Sequence, residues 1–386
     1  MNSNKIMYNL YVMCVALTLA LHVYNLGGGN TLKPFHITAA IASILSFWVV
    51  PFRGKIIRYT VIFVLCSLFS TLLSFSNTAV PFWVNLTVVL CCCYGLVYID
   101  IKKLLKWLYV LIPIDVMVLL YTATREFVYR FQGFYDDPNY LCTTLIVFLV
   151  VCLLQFSHIQ SKWAKGLTII TIVGIYAIIL MTISRTGLLC SLIILASFFL
   201  NALKKNVFIT ILVVFVGSFV IFHYAGNYLG DLTGAFSERI FEADDNYESA
   251  GTFRKELSLQ NIRYIADNPQ YMLFGLGGGT TAGTGAAQIP GLNNYRKDFH
   301  GDHNTWTSTF SEQGLLALFY FFLIYYTTFM NIVKVPSKTD KYLLLAVFFS
   351  IILSSISISQ KVYLPFWWLI FFLNNKHFSS LQLKKT

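Results

Sequence analysis

Apolar runs close to 20 residues long alternate with short polar connections along most of this chain. A helix needs about 20 apolar residues to cross a bilayer, so the pattern predicts a protein that spans a membrane many times. The second and the last runs are short for a full crossing. The twelve predicted helices cover residues 7–24, 34–50, 59–75, 80–99, 104–123, 140–156, 163–183, 187–203, 206–228, 314–333, 342–358 and 362–372.

One long polar segment, residues 229–305, interrupts this alternation. It holds ten of the 17 acidic residues and six of the 28 basic ones. Long connections of this kind are uncommon unless they are functional, so we expect the chemistry to involve it. The pattern predicts an all-α polytopic membrane protein with about 12 transmembrane helices. Helices 1–9 are predicted in residues 1–228. Residues 229–305 are predicted to form an external loop with short helices and catalytic elements. Helices 10–12 and a cytoplasmic tail are predicted in residues 306–386.

Composition supports the membrane assignment. The chain is 57% hydrophobic and 12% charged, whereas ordinary soluble domains carry about 25% charged residues. A net charge of +11 would suit nucleic acid, but the positive residues lie in short connections between apolar runs, so we expect no nucleic-acid partner. All eight cysteines fall inside apolar runs and are interpreted as small buried hydrophobes. No small-residue cleavage site follows the first run, which is interpreted as a retained helix.

The distribution of lysine and arginine predicts the orientation, because short cytoplasmic loops carry an excess of both. With the N-terminus inside, seventeen of the 28 basic residues fall in cytoplasmic segments, five in short external loops and six in the long segment. Both termini are therefore predicted in the cytoplasm and the long segment outside. Arg130, Arg185, Arg254 and His303 then share the external face, where they can converge on one cavity.

Arg254 opens a predicted loop helix, residues 253–266, which an Asp-Asn-Pro turn ends. Arg254, Ser258 and Asn261 share one face of it. A cation in the first turn works against the helix dipole. Its presence makes sense if a phosphate binds there, because a helix N-terminus and an arginine both suit that anion. A solvated arginine paired with a nearby glutamate is the alternative.

Arg185 lies in a tight Ser-Arg-Thr-Gly break between two predicted spans. An arginine at this depth usually pairs or binds a ligand, and snorkelling to the interface is the alternative. His303 stands near the end of the polar segment. Histidine is the side chain best suited to general-base work near neutral pH, and an ordinary loop histidine is the alternative.

Two further motifs have plain structural interpretations. Asp136-Asp137-Pro138-Asn139 is typical of a turn before a span. Paired carboxylates that bind a metal or act as acid and base are the alternative there. The glycine-rich residues 275–279 lack the lysine of a phosphate-binding loop and follow no strand, so they are interpreted as a flexible turn.

Taken together, four motifs resemble those of the O-antigen polymerase and ligase superfamily, in that family's order. The resemblance covers about residues 130–318, and it departs from the family at Ser258, where an aromatic residue is frequent. The motifs are Arg130-Phe131-Gln132-Gly133 with Asp137-Pro138-Asn139, then Ser184-Arg185-Thr186-Gly187, then Arg254 with Pro269 and Gly275-Leu276-Gly277, then His303-Asn304 with Gly314.

The resemblance implies an integral membrane glycosyltransferase with a helical fold of the GT-C type. Such enzymes act at the outer face of the bacterial cytoplasmic membrane on undecaprenyl-diphosphate-linked glycans, without a metal or another cofactor. Polymerases join repeat units into O-antigen, capsule or exopolysaccharide, and ligases transfer the finished chain to the lipid A-core of lipopolysaccharide. The Asp-Pro-Asn turn favours a polymerase. The implied partners are the lipid-linked glycan and membrane lipid, with a chain-length regulator and a flippase.

Within this resemblance we predict His303 as the catalytic base and Arg185 and Arg254 as the groups that hold the diphosphate. A one-step attack would invert the anomeric centre. A transporter or flippase is a competing class, although no inverted repeat supports it. A lipid-binding structural protein is another, and it would need no histidine at the site. The remaining site candidates are Arg130, Asp137, Asn139 and Asn304.

Overall fold

The computed structural model describes residues 3–24, 33–74, 79–126, 131–135, 137–202, 256, 258–280, 289–295 and 304–379. Every regular element in these ranges is helical. The long helices are α1 (Ser3–Leu21), α2 (Pro34–Val49), α3 (Lys55–Ser74), α4 (Ala79–Cys93), α5 (Ile101–Glu126), α6 (Pro138–His158), α7 (Lys162–Met181), α8 (Arg185–Ala202), α9 (Thr305–Val333), α10 (Lys338–Ser357) and α11 (Leu364–Leu373).

These helices match the predicted apolar runs one for one, except that the predicted helix 206–228 lies outside the described residues. Eight helices in the described ranges are long and apolar enough to cross a membrane. The apolar parts of α2, α8 and α11 are shorter. The protein is therefore a multi-pass, all-helical membrane protein, and the predicted count of twelve crossing helices is not confirmed.

Helix α6 lies at the centre of the described bundle. It packs against α5, α7, α8 and α11, and residues 141–155 are all buried. The outer helices instead expose large apolar side chains such as Trp48 and Trp163, as expected where lipid surrounds the protein. In lipid, helices associate through close packing rather than through removal of apolar surface from water, which explains a central helix that touches four neighbours.

Helix α11 corresponds to the short last run of the sequence. All ten of its residues are buried, and Trp367 and Trp368 are among the largest fully buried side chains. An apolar stretch of 10–14 residues is more typical of a buried core helix than of a crossing helix. The structure agrees, because α11 is enclosed by α1, α4, α6, α9 and α10.

Helix α9 begins nine residues earlier than the predicted start at residue 314. Its first turns are rich in serine, threonine, glutamate and glutamine, so a search for apolar runs misses them. The helix also has a kink at Gly314, where φ is +82°. The polar turns and the kink place Glu312 and Gln313 inside the protein.

The described part of the polar segment has a small core of its own. Residues 258–267 are helical and end before Asn268, as predicted. Tyr264 and Ile265 of this helix pack with Leu276, Ile289 and Leu292, and Phe310 of α9 packs against the cluster. Burial raises the pKa of Tyr264 to about 12, so its hydroxyl stays neutral and donates to the Pro290 carbonyl at 2.8 Å.

Candidate functional site

The start of α6 is fixed by the Asp-Pro-Asn turn. Asp137 has an extended backbone and is the N-cap, and its carboxylate accepts a hydrogen bond from the Asn139 backbone N–H at 2.7 Å. Pro138 stands at the first helical position, where its missing N–H has no cost. The predicted turn before a span is confirmed. Asp136, the other carboxylate of the metal alternative, lies outside the described residues.

The break between α7 and α8 contains a strained residue. Ile183 is fully buried and has φ +49°, in the left-handed region that β-branched residues rarely adopt. Such a conformation costs about 1–3 kcal/mol, and residues of this kind cluster at functional sites. Ser184 follows and accepts a hydrogen bond from the Gly187 N–H at 3.1 Å, which caps α8.

A side-chain hydrogen bond joins the starts of α6 and α8. The Ser184 hydroxyl donates to Asn139 Oδ1 at 2.6 Å. Gly187 allows the two helices to approach, because a Cβ there would lie 2.5 Å from the sulfur of Cys142. Two separate motifs of the sequence, which are 45 residues apart, thus form one unit, and Asn139 is its link.

Arg185 is the first residue of α8 and its side chain is exposed. Within the described ranges no carboxylate lies at ion-pair distance from its guanidinium. Because the cap and the Asn139 bond fix the backbone beside it, the guanidinium projects from a rigid turn. The exposed guanidinium is therefore accessible to an anion.

The start of α9 is capped by Asn304, whose side-chain oxygen accepts hydrogen bonds from Trp306 N at 2.8 Å and Thr307 N at 3.3 Å. One turn on, the Thr307 hydroxyl donates to Ser258 of the loop helix at 3.2 Å. Ser258 and Asn261, on the predicted polar face of that helix, are both buried. The polar face of the loop helix therefore meets the start of α9.

The connection between α10 and α11 joins the starts of α6, α8 and α9, and the sequence analysis did not identify it. One group of its contacts is with α9. The Thr305 hydroxyl donates to the Ile358 carbonyl at 2.7 Å and accepts from Gln360 N at 3.0 Å. The hydroxyls of Ser308 and Ser359 lie 2.9 Å apart. We call residues 357–361 the junction segment.

The junction segment also binds α6 and α8. Gln360 donates from its side chain to Thr143 at 3.0 Å, and Tyr140 donates to the Ser359 carbonyl at 2.9 Å. Thr186 of α8 donates to the Ser357 hydroxyl at 3.0 Å. The N-terminal turns of α6, α8 and α9 are therefore gathered around one short segment. We call this end of the bundle the Arg185 end.

A buried ion pair lies beneath the Arg185 end. Lys361 Nζ is 2.6 Å from Glu312 Oε2, with side chains only 4% and 5% exposed. Lys361 also donates to the Ser308 carbonyl at 2.8 Å, and Glu312 accepts from the Gly279 N–H at 2.7 Å. A buried pair is tolerated when further hydrogen bonds satisfy both partners, as they do here. The pair links α9, the junction segment and the glycine-rich residues.

The sequence predicts a flexible turn at the glycine-rich residues, and this prediction is wrong. In the structure they are a packed part of the site. Leu276 N and Gly277 N donate to the carbonyls of Ser311 and Glu312, both at 2.8 Å. These are carbonyls of the last turn before the kink at Gly314, and two N–H groups just after the kink bond to residues 272 and 273. A Cβ at position 275 would lie 2.4 Å from the backbone of Glu312. The glycines are needed for this close backbone contact.

The structure brings together some of the predicted site residues. Asp137, Asn139, Arg185 and Asn304 lie at the starts of three helices that share the junction segment. Asp137 and Asn304 act as helix caps, and Asn139 positions the turn before Arg185. Their catalytic roles stay predictions. The other predicted site residues, Arg130, Arg254 and His303, lie outside the described residues.

The electrostatics of the Arg185 end suit an anion. A helix N-terminus carries a partial positive charge of about half a unit, and phosphates commonly bind at such termini. The exposed Arg185 lies here together with the starts of α8 and α9, whose caps are neutral, whereas the start of α6 is already capped by the Asp137 carboxylate.

Fold and site together define a multi-pass membrane protein with a polar candidate site at one end of its bundle. Residues 169–322, which run from α7 into α9, match the family model described as O-antigen ligase. This match supports the O-antigen ligase and polymerase superfamily, whose members are membrane glycosyltransferase-like enzymes. Arg130, Asp137 and Asn139 precede the matched residues. A search of curated proteins found no match to this chain.

Proposed function

We propose that this protein polymerises oligosaccharide repeat units carried on undecaprenyl diphosphate, at the outer face of the bacterial cytoplasmic membrane. The product is an O-antigen, a capsule or an exopolysaccharide. The family assignment supports a lipid-linked glycan as substrate. The observation that carries the proposal is the gathering of three helix starts and Arg185 around the junction segment.

The reaction joins an acceptor sugar hydroxyl to the anomeric carbon of the donor and releases undecaprenyl diphosphate. Arg185 and Arg254 hold the diphosphate, whose negative charge grows as the glycosidic bond to it breaks. His303 accepts the proton of the attacking hydroxyl. Attack on the face opposite the leaving group inverts the anomeric centre. No metal is needed, because diphosphate is a good leaving group when two arginines neutralise it.

The architecture of the Arg185 end supports the positioning that this reaction requires. Orienting two substrates is worth several kcal/mol of the barrier when reacting atoms are held in place. The cap of α8, the bond from Ser184 to Asn139 and the strained Ile183 fix the turn that carries Arg185. The buried pair of Glu312 and Lys361 fixes α9 against the junction segment.

An O-antigen ligase is the second candidate, and the description of the matching family model favours it. A ligase passes a finished glycan to lipid A-core, whereas a polymerase extends the glycan by whole repeat units. The two enzymes differ in acceptor and not in the donor chemistry. A transporter or flippase is the further alternative, and it would release an unchanged lipid-linked glycan on the other side of the membrane.

The test is an assay of purified protein in lipid nanodiscs with a defined undecaprenyl-diphosphate-linked repeat unit. A polymerase gives a ladder of products spaced by one repeat unit, without any added acceptor. A ligase gives product only when lipid A-core is present, with one glycan attached to each acceptor. Absence of a new glycosidic bond under both conditions contradicts the proposal. Movement of intact donor across a liposome membrane would then establish the transporter.

A further inference from the structure

The opposite end of the described bundle contains a pocket that the proposed reaction does not use. We call it the Lys334 end, because α3 begins there and α9 and α11 end there. The pocket has a volume of about 360 Å³, within the range of ligand pockets. Its walls come from the first turn of α3, the last turns of α9 and α11, and the residues that follow α4 and α11.

The floor of the pocket is built by asparagine side chains. Asn331 donates to the side-chain oxygen of Asn374 at 2.7 Å, and Asn374 donates to the Thr328 hydroxyl at 2.8 Å. Asn375 donates to the carbonyls of Leu96 and Ile99. These bonds tie the end of α11 to the end of α9 and to the connection after α4. The pocket is therefore preformed.

The rim of the pocket is positively charged. Lys55, Lys334 and Lys376 line it and are exposed, and no carboxylate is found among the described residues of its lining. Lys376 Nζ lies 4.3 Å from the centre of the Tyr98 ring, a cation–π contact that holds this cation at the rim. Gly54, with φ +112°, gives the chain a sharp turn into α3, which places Lys55 at the opening.

We propose that this pocket binds a phosphate-bearing anion. Three cations at the rim of a preformed pocket suit phosphate oxygens, and basic pockets between membrane helices bind phospholipid headgroups. The anion has two possible sources, a lipid headgroup and a free phosphate ion. Phe52 and Val333, which flank the lining residues in sequence, are exposed apolar side chains, so a lipid headgroup in the pocket has apolar surface nearby for its acyl chains. This proposal does not depend on glycosyl transfer.

The test compares two variants that remove the same charge. The pocket variant is Lys55→Gln with Lys334→Gln and Lys376→Gln. The control variant is Lys5→Gln with Lys102→Gln and Lys338→Gln, which removes three exposed lysines outside the pocket lining. Both proteins are purified in neutral detergent, and their melting temperatures without ligand establish that they fold. Native mass spectrometry then measures binding of phosphatidylglycerol, with phosphatidylcholine as the neutral reference.

Each lysine near an anionic headgroup contributes about fivefold to affinity, so we expect the pocket variant to bind phosphatidylglycerol on the order of 100-fold more weakly than the wild type. The control variant should bind like the wild type, and a triple Lys→Arg pocket variant should retain binding. A parallel melting experiment with inorganic phosphate, at constant ionic strength, identifies the free ion. Stabilisation by phosphate alone assigns the pocket to the ion, and selective binding of phosphatidylglycerol assigns it to lipid. Equal behaviour of pocket and control variants toward both probes overturns the proposal.

Discussion

The two ends of this helix bundle use polar residues in different ways. At the Arg185 end, polar side chains from α6, α8, α9 and the junction segment bond to one another, above the buried pair of Glu312 and Lys361. At the Lys334 end, three exposed lysines surround an open pocket whose asparagine floor is already satisfied. One end is therefore held in a fixed geometry, and the other presents charge on its surface.

This difference indicates which end of the bundle is suited to catalysis. A reaction needs groups held to within a fraction of an ångström, which requires packed neighbours and satisfied hydrogen bonds. Binding of a headgroup tolerates flexible lysines. We therefore expect substitutions at the Arg185 end to affect turnover, and surface charge changes near the Lys334 end to leave turnover unchanged.

The prediction with the largest expected effect is that the two ends lie on opposite sides of the membrane, which labelling of introduced cysteines can test. We predict that Asp244→Cys, in the polar segment, reacts with an impermeant maleimide added outside the cell. Lys338→Cys, at the first residue of α10, should react only after the membrane is opened. The eight native cysteines lie in or beside the spans and are largely buried, so background labelling should be low. Labelling of both positions from one side would contradict the orientation.

The largest expected effect on turnover comes from His303. If His303 is the base, His303→Ala lowers turnover by about 10²–10⁴-fold, the usual contribution of general acid–base catalysis. Donor binding should persist, because the arginines hold the diphosphate. The wild-type rate should fall at low pH, where a histidine base is protonated, and the variant should lose this dependence. Full turnover of His303→Gln, in the same assay, means that His303 is not the base.

The next effect is on stability and concerns the buried ion pair. Lys361→Met leaves Glu312 buried without its cation, and removing one partner of a buried pair costs about 3–5 kcal/mol. The double variant, Lys361→Met with Glu312→Met, should be the more stable of the two, because no charge stays unpaired. Thermal unfolding in detergent measures both. A double variant as unstable as the single one would show that the hydrogen bonds to Ser308 and Gly279 matter more than the charge.

The arginines should show a smaller loss of turnover. Arg185→Lys and Arg254→Lys keep the charge but lose the forked geometry that grips a phosphate. We expect roughly 10- to 100-fold lower kcat/KM, the value of one or two charge-assisted hydrogen bonds. The matched control is Lys338→Gln, near the Lys334 end, which should keep wild-type activity. Near-normal kinetics of both arginine variants would remove these residues from the diphosphate site.

Much of the fold follows from the sequence because the bilayer imposes a simple rule. A crossing helix must be long and apolar, so apolar runs predict ten helices of the described bundle closely. The rule does not apply to the polar turns at the start of α9, where Glu312 and Gln313 are buried against other polar groups. The short last run already indicates that α11 is not a full crossing, but the rule does not show which helices enclose it.

The candidate site was harder to predict than the helices. The sequence singles out Asn139, Arg185 and Asn304 through their motifs, but it does not show how they meet. The contacts that join them connect residues far apart in the chain, such as Thr305 and Ile358, 53 residues apart. The polar run at residues 354–361 was the available signal for the junction segment. Lys361 falls in a short connection, where the sequence predicts an exposed charge, whereas the structure buries it against Glu312.

The smallest predicted effect tests whether the bond between Ser184 and Asn139 links the two motifs. A double-mutant cycle of Asn139→Ala and Ser184→Ala should give a coupling of about 1 kcal/mol in unfolding free energy, the net value of one hydrogen bond. The matched cycle, Tyr325→Phe with Ser355→Ala, removes a bond of 2.9 Å between α9 and α10 in the bundle interior. It should show a similar coupling in stability.

Activity separates the two cycles. Breaking the bond from Ser184 to Asn139 releases the turn that carries Arg185, so turnover should fall several-fold more than the loss of stability explains. The Tyr325 cycle should leave turnover unchanged at temperatures where the protein is folded. Equal effects of both cycles on turnover would mean that the Asn139 bond only stabilises the bundle. A larger effect at Asn139 would mean that the fixed geometry of the Arg185 end serves the reaction, because the two bonds differ chiefly in what they position.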